Sequence, residues 1–117
     1  MKAEPAPRTA PARRYLCNSP VLTAYGNYSF QGPLPIGVAR SFAGLGAQSA
    51  VGHAATARLM SQALGVTVPC RRDAIELLPG DQALVLRLTT RLPEGAVLDT
   101  DALAMVAHEF CLLTRLS

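Results

Sequence analysis

The spacing of hydrophobic positions changes several times along this chain, and each change predicts an element. Tyr15-Leu16-Cys17 is a short apolar run closed by Asn18-Ser19-Pro20. It predicts a first strand, because Asn and Ser bond local backbone and Pro lacks the ladder donor. Tyr28-Ser29-Phe30 predicts a second strand, broken at Pro33-Leu34-Pro35, after which a short helix runs from about Ile36 to Ala43. Beyond His53 the period lengthens. Ala55, Leu59, Met60, Ala63 and Leu64 share one helical face, Arg58, Ser61 and Gln62 point away, and Gly65 supplies the stop.

Three further strands are predicted at Thr67-Val68, Asp73 to Leu77 and Ala83 to Arg91, with Pro79-Gly80-Asp81 joining the last two as a hairpin. In the long strand Leu84, Leu86 and Leu88 face one way, and Ala83, Val85, Arg87 and Thr89 the other. Pro93-Glu94-Gly95 forms a second turn. Asp99 then caps a helix over Asp101 to Ala107, its acids at the positive end, and His108 sits at the helix exit, where a cation suits the negative end. Glu109 to Leu116 closes the sheet. The expected fold is α/β: a single domain, residues 14–117, with a mixed β-sheet of about five strands packed with about three helices.

Composition narrows this outline. Of 117 residues, 50% are hydrophobic and 16% charged, which suits one folded core and excludes a disordered chain. A core of this size leaves much surface exposed, so a homodimer is plausible on size alone. Residues 1–13 alternate Pro, Ala and Arg and are expected to be a disordered tail. No apolar run is long enough to span a membrane, and the N-terminus has no signal-peptide core, so the expected location is cytoplasmic. The net charge of +3 resides in the first fourteen residues, where Lys2, Arg8, Arg13 and Arg14 oppose Glu4. The rest of the chain balances arginines against acids and holds no lysine. Such a surface is poorly suited to gripping long nucleic acid, so an anionic ligand would be small and held by few groups. Cys17, Cys70 and Cys111 are widely spaced, which fits neither a zinc site nor a disulfide framework. They are expected to be reduced, mostly buried thiols, with no metal or other cofactor.

The candidate chemistry is sparse. His53 follows Ser49-Ala50-Val51-Gly52, where an apolar run turns into the best helix. A strand-to-helix junction with Gly52 presents backbone N–H groups suited to a phosphate, and a histidine there can touch the same phosphate. It can equally fill a first-turn position. Arg91 and Glu94, in Arg91-Leu92-Pro93-Glu94-Gly95 at the end of the longest strand, are either ligand contacts on a strand-end loop or a solvated ion pair. Asn18 and Ser19 are polar and close after a strand end, and turn chemistry explains them as well. No phosphate-binding P-loop, dinucleotide fingerprint, zinc-protease motif or nucleophile elbow is present, and aromatic residues are too scattered for a stacking platform.

Five blocks nevertheless resemble one family. Leu16-Cys17-Asn18-Ser19-Pro20-Val21-Leu22-Thr23, Ser49-Ala50-Val51-Gly52-His53-Ala54-Ala55-Thr56-Ala57, Pro79-Gly80-Asp81-Gln82-Ala83-Leu84-Val85, Arg91-Leu92-Pro93-Glu94-Gly95 and Phe110-Cys111-Leu112-Leu113-Thr114-Arg115-Leu116 look like the YddF-like family, in collinear order from about Tyr15. That family includes the viral type III anti-CRISPR ring nucleases and bacterial CRISPR-associated relatives. The resemblance implies a homodimer with a ligand cavity at its interface. It also implies binding of cyclic tetra-adenylate and metal-independent cleavage to linear di-adenylate with 2′,3′-cyclic phosphate and 5′-OH ends. His53, in a matching Gly-His-x-x-Thr context, corresponds to the family's catalytic histidine, and Arg91 and Glu94 to its arginine and glutamate. A ligand-contacting position lies near Asn18 and Ser19, although the turn differs there. Many relatives carry an acid directly after the histidine, where this chain has Ala54.

The implied chemistry needs no metal, because RNA supplies its own 2′-OH nucleophile and the protein aligns it and protonates the departing 5′-oxygen. His53 would be the proton donor, disfavoured as an imidazolium by the helix N-terminus and favoured by a bound phosphodiester. Two other classes of function are compatible with the chain: a non-catalytic cyclic-oligonucleotide binder acting as sponge or sensor, and a binding module of a mobile element. Cleavage of the ring separates the first from the enzyme, and the neutral domain charge disfavours the second.

Overall fold

The computed structural model describes residues 12–89 and 108–117. Seven elements follow one another as β1 (Arg14–Cys17), β2 (Tyr28–Gln31), α1 (Ile36–Gly44), β3 (Gln48–Ala50), α2 (Ala54–Leu64), β4 (Gln82–Leu88) and β5 (His108–Arg115). The strands make one mixed sheet in the order β2-β5-β4-β1-β3. β1 runs parallel to both β3 and β4, with Cys17 opposite Ala50 and Val85, while β5 is antiparallel to β4 and β2. The expected single α/β domain with five strands is therefore present. Two helices, not three, occur among the described residues, and the helix expected over Asp101 to Ala107 lies outside them.

The two faces of the sheet are covered differently. On one face Leu16, Leu84, Leu86 and Phe110 pack against Ala39, Phe42 and Ala43 of α1 and against Ala57, Leu59, Met60 and Leu64 of α2. The helical face read from the sequence is thus the face that α2 buries. Gly65 ends α2 at φ 70, a left-handed conformation that costs glycine nothing. On the other face Tyr15, Cys17, Ala83, Val85 and Leu113 are covered by irregular segments that contribute Val21, Ile75 and Leu77. The alternation in β4 is borne out, and over Ala83 to Leu86 both sets are core, because the strand is central and covered on both sides, whereas Arg87 is exposed.

Two strand expectations fail. Thr67-Val68 and Asp73 to Leu77 form no strands, and only Cys70 in that region makes a bridge, to Val51. The Pro79-Gly80-Asp81 hairpin is absent because β1 and β5 already occupy the two edges of β4, leaving no ladder for a hairpin partner. Val68, Ile75 and Leu77 spend their hydrophobicity as packing against the sheet and not as ladder residues. His108, expected at a helix exit, opens β5 opposite Leu88, and the helix expected before it lies outside the described residues.

Buried polar groups hold these irregular segments in place. Asp81 is fully buried, and its carboxylate accepts hydrogen bonds from the amides of Arg13, at 2.8 Å, and Leu78, at 2.9 Å. Arg13 is thereby tied to the fold one residue before β1. Arg115 donates to the carbonyls of Leu77 and Tyr25 and lies over the Tyr28 ring, clipping both covering segments to the sheet. No helix of the described residues is long and apolar enough to cross a membrane.

Burial also sorts the thiols. Cys17 and Cys111 are buried and Cys70 is exposed. Burial pushes the Cys17 thiol up to about 12, and burial, aided by the nearby Glu109 carboxylate, raises Cys111. Because folding favours the neutral Cys17 thiol, its contribution to stability is complete below the ordinary value of 9.0 and is lost as the pH climbs toward 12. Iodoacetamide at pH 8 is therefore expected to label Cys70 in the native protein and the other two thiols only after unfolding, as read by peptide mass spectrometry. Native labelling of Cys17 would contradict the packing described.

Candidate functional site

Parallel pairing of β1 with β3 and β4 sends three strand ends to the same edge of the sheet. β1 ends there at Cys17 and continues into exposed Asn18 and Ser19. β3 ends beside it at Ala50 and continues through Val51 and Gly52 to exposed His53. The register of Cys17 with Ala50 makes these two polar turns neighbours. The two chains then diverge: Val21, after β1, packs on the face without helices, whereas α2, after β3, packs on the helical face. Adjacent strand ends that part to opposite faces leave a crevice outside the sheet, and open α/β sheets commonly bind ligands at such a point. β4 reaches this edge at Leu88. Arg91 and Glu94 follow in sequence and lie outside the described residues.

Local chemistry explains why His53 stands where it does. It is the N-cap residue of α2, with extended backbone at φ −125 and ψ 121. Its Nδ1 accepts from the Thr56 amide at 3.4 Å and lies 3.2 Å from the Thr56 hydroxyl. The ring thus serves as the capping acceptor that Ser, Asp or Asn usually supplies. Among the described residues nothing hydrogen-bonds to Nε2, and the residue is exposed, so that nitrogen is the one presented to a ligand.

The structure adds a residue that the motif reading missed. Ser49, buried, donates to the carbonyl of Pro69 at 2.6 Å and pulls the following segment against β3. The Val51–Cys70 bridge and the hydrogen bond from the Arg71 amide to the Val51 carbonyl, at 2.8 Å, continue that contact. Arg72 consequently reaches Gly52, its Nε donating to the Gly52 carbonyl at 3.0 Å. A side chain at Gly52 would meet Arg72 Cγ at 3.0 Å, so the close approach of Arg72 to the Gly52 carbonyl is one that glycine makes room for. Arg72 sets a fixed cation next to His53. The only advance signal was the Arg71-Arg72 pair, which without the fold reads as solvated charge. Arg71 itself pairs with Asp73 at 3.8 Å on the surface. At the same edge of the sheet Arg87 and Glu109 form a cross-strand ion pair at 2.7 Å, which supports the register of β4 and β5 near the segment leading to Arg91.

A cavity of about 260 Å³ lies at the other end of the strands, lined by Arg13, Tyr15, Gln48, Ala74, Ile75, Glu76 and Leu78. His53 is not among its lining residues.

The STIV B116-like family model matches residues 14–110. The chain belongs to the STIV B116-like family. Two relatives found by sequence comparison are viral proteins. Over 52 residues the chain is 46% identical to the uncharacterized protein ORF117 of Acidianus two-tailed virus. Over a stretch of the same length it is also 46% identical to the uncharacterized protein 26 of Sulfolobus islandicus filamentous virus. Each match covers 44% of this chain and 44% of the relative. Among solved structures, B116 of Sulfolobus turreted icosahedral virus superposes with a TM-score of 0.68 and 20% identity, covering 89% of this chain and 100% of that one. That likeness establishes the fold shared by the family.

Proposed function

We propose that this protein is a metal-independent ring nuclease that binds cyclic tetra-adenylate across a homodimer and cleaves it to linear di-adenylate, silencing type III CRISPR signalling. The observation that carries the reading is the exposed His53 at the crevice of two parallel strand ends, beside Asn18 and Ser19 and next to the fixed cation of Arg72. The five sequence blocks resembling YddF-like ring nucleases support it, and the viral relatives favour an anti-defence role over a host off-switch.

The chemistry follows from these groups. The 2′-oxygen bonds to phosphorus while the bond from phosphorus to the 5′-oxygen breaks, leaving a 2′,3′-cyclic phosphate. His53 donates the Nε2 proton to the departing 5′-oxygen, and Glu94 is the carboxylate available for the 2′-hydroxyl proton. The first amides of α2 and the Arg72 guanidinium at Gly52 are available to stabilise charge that grows on the phosphate, and Arg91 takes the phosphate-binding role that the resemblance implies. A four-phosphate ring is small enough for a domain whose basic and acidic residues balance outside the tail, and two-fold symmetry would offer it two equivalent sites.

The test is incubation of the purified protein with cyclic tetra-adenylate in excess EDTA, with products separated by chromatography and identified by mass. Linear di-adenylate bearing a 2′,3′-cyclic phosphate is expected. Loss of activity on chelation, restored by Mg²⁺ or Mn²⁺, would overturn the metal-free mechanism. Tight binding without cleavage would make the protein a sponge.

A further inference from the structure

We propose that Thr56 is the positioning residue for His53, its hydroxyl holding the ring at Nδ1 and then accepting the hydrogen that Nδ1 carries when the ring is charged. This inference rests on the proposed role of His53 as the acid, and it begins from a conflict visible in the geometry. The Thr56 amide can only donate, and it faces Nδ1 at 3.4 Å. In the neutral ring Nδ1 is therefore the acceptor, and the hydrogen sits on Nε2. A neutral imidazole cannot give up that hydrogen to a leaving oxygen without becoming an anion. The acid must be the imidazolium, whose second proton enters at Nδ1, where an amide N–H already points.

The Thr56 hydroxyl resolves the conflict. Its Oγ1 is the closer partner, 3.2 Å from Nδ1, and a hydroxyl can donate to the neutral ring and accept from the charged one. Thr56 is buried in the first turn of α2, so its side chain is held against the ring. Other nearby charge gives the imidazolium little support. Arg72 is a cation at Gly52, Arg71 is a cation paired with Asp73, and the first turn of α2 carries no acid. Asn18 and Ser19, from the end of β1, are uncharged. Among the described residues the hydroxyl is the acceptor placed for the Nδ1 hydrogen.

The proton balance closes. When the 5′-oxygen departs, the Nε2–H bond breaks and an O–H bond forms on the leaving group. The ring is left neutral, with its hydrogen on Nδ1 donated to Thr56 Oγ1. Uptake of a solvent proton at Nε2 and release of the one on Nδ1 then return the resting tautomer.

Thr56→Val keeps size and backbone amide but removes the acceptor, whereas Thr56→Ser keeps the hydroxyl. With cyclic tetra-adenylate, Thr56→Val is expected to lower kcat roughly ten-fold with KM within about two-fold of wild type. The fall of kcat with rising pH should begin at lower pH in Thr56→Val, because loss of the acceptor disfavours the charged ring. Thr56→Ser should restore both. Long-range ¹H–¹⁵N NMR of the ligand-free protein, with His53 assigned by its absence in His53→Asn, supplies a readout that needs no cleavage. It should show the neutral ring protonated on Nε2, and the second proton taken up at lower pH in Thr56→Val than in wild type. Wild-type kcat and pH profile in Thr56→Val, or a resting ring protonated on Nδ1, would overturn the proposal. If the wild-type protein cleaves nothing, the nuclease reading fails by itself, and the NMR comparison of wild type with Thr56→Val decides the role of Thr56.

Discussion

His53→Asn is expected to slow cleavage of cyclic tetra-adenylate roughly 10²–10⁴-fold while leaving affinity within an order of magnitude, the signature of a lost general acid. Asparagine is the informative replacement because His53 has two roles. Its Nδ1 caps α2, and truncation to alanine removes that acceptor together with the acid. An asparagine side chain caps a helix as well as any residue but has no proton to give at neutral pH. His53→Ala should therefore lose the rate and also about 1 kcal/mol of stability, whereas His53→Asn loses the rate alone. Single-turnover cleavage at saturating ligand, equilibrium binding and thermal unfolding together separate the roles. A cleavage rate in His53→Asn near that of wild type would remove His53 from the mechanism, and a collapse of affinity would make it a binding residue.

Asp81→Ala is the substitution expected to cost the fold most among its buried polar groups. The carboxylate is fully buried and accepts from the amides of Arg13 and Leu78, joining the start of β1 to the segment that covers the face without helices. Alanine removes the acceptor of both part-buried bonds and leaves a gap in place of the buried carboxylate, and each donor left without a partner costs about 1–3 kcal/mol. In a domain of this size that corresponds to a fall in Tm of roughly 10 °C or more. Urea unfolding gives the same quantity as a lowered midpoint at unchanged slope. The edge proposed to bind the ring lies at the other end of β1, so protein that remains folded is expected to keep whatever cleavage rate the wild type has. A midpoint equal to that of wild type would show that the two hydrogen bonds carry no net stability.

Much of the architecture is legible along the chain because short-range rules decide it. The helical period of Ala55 to Leu64 and the glycine stop specify α2, and the structure places that helix at Ala54–Leu64 with Gly65 left-handed. Pro33-Leu34-Pro35 marks the entry to α1, which begins at Ile36. The strand expected over Ala83 to Arg91 is found at Gln82–Leu88, ending before Thr89, and Arg91 lies outside the described residues. Where reading along the chain fails, the deciding quantity is non-local. Asp73 to Leu77 looks like a hairpin arm until both edges of β4 are seen to be taken by strands from distant parts of the chain. Nor does the chain around His108 tell that its partner across the sheet is Leu88.

The candidate site divides in the same way. The sequence by itself determined an α/β domain, a histidine at a glycine-marked strand-to-helix junction, and a polar turn after the first strand, because periodicity, capping and turn chemistry act over a few residues. Only the tertiary structure decided that Asn18 and Ser19 stand beside Gly52 and His53, since parallel pairing of β1 with β3 brings together segments that share no local rule. It alone placed Arg72 on the Gly52 carbonyl, because that contact depends on Ser49 drawing the segment after α2 back along β3. Local interactions are written in neighbouring residues; the crevice is made by strands that meet only when the sheet closes.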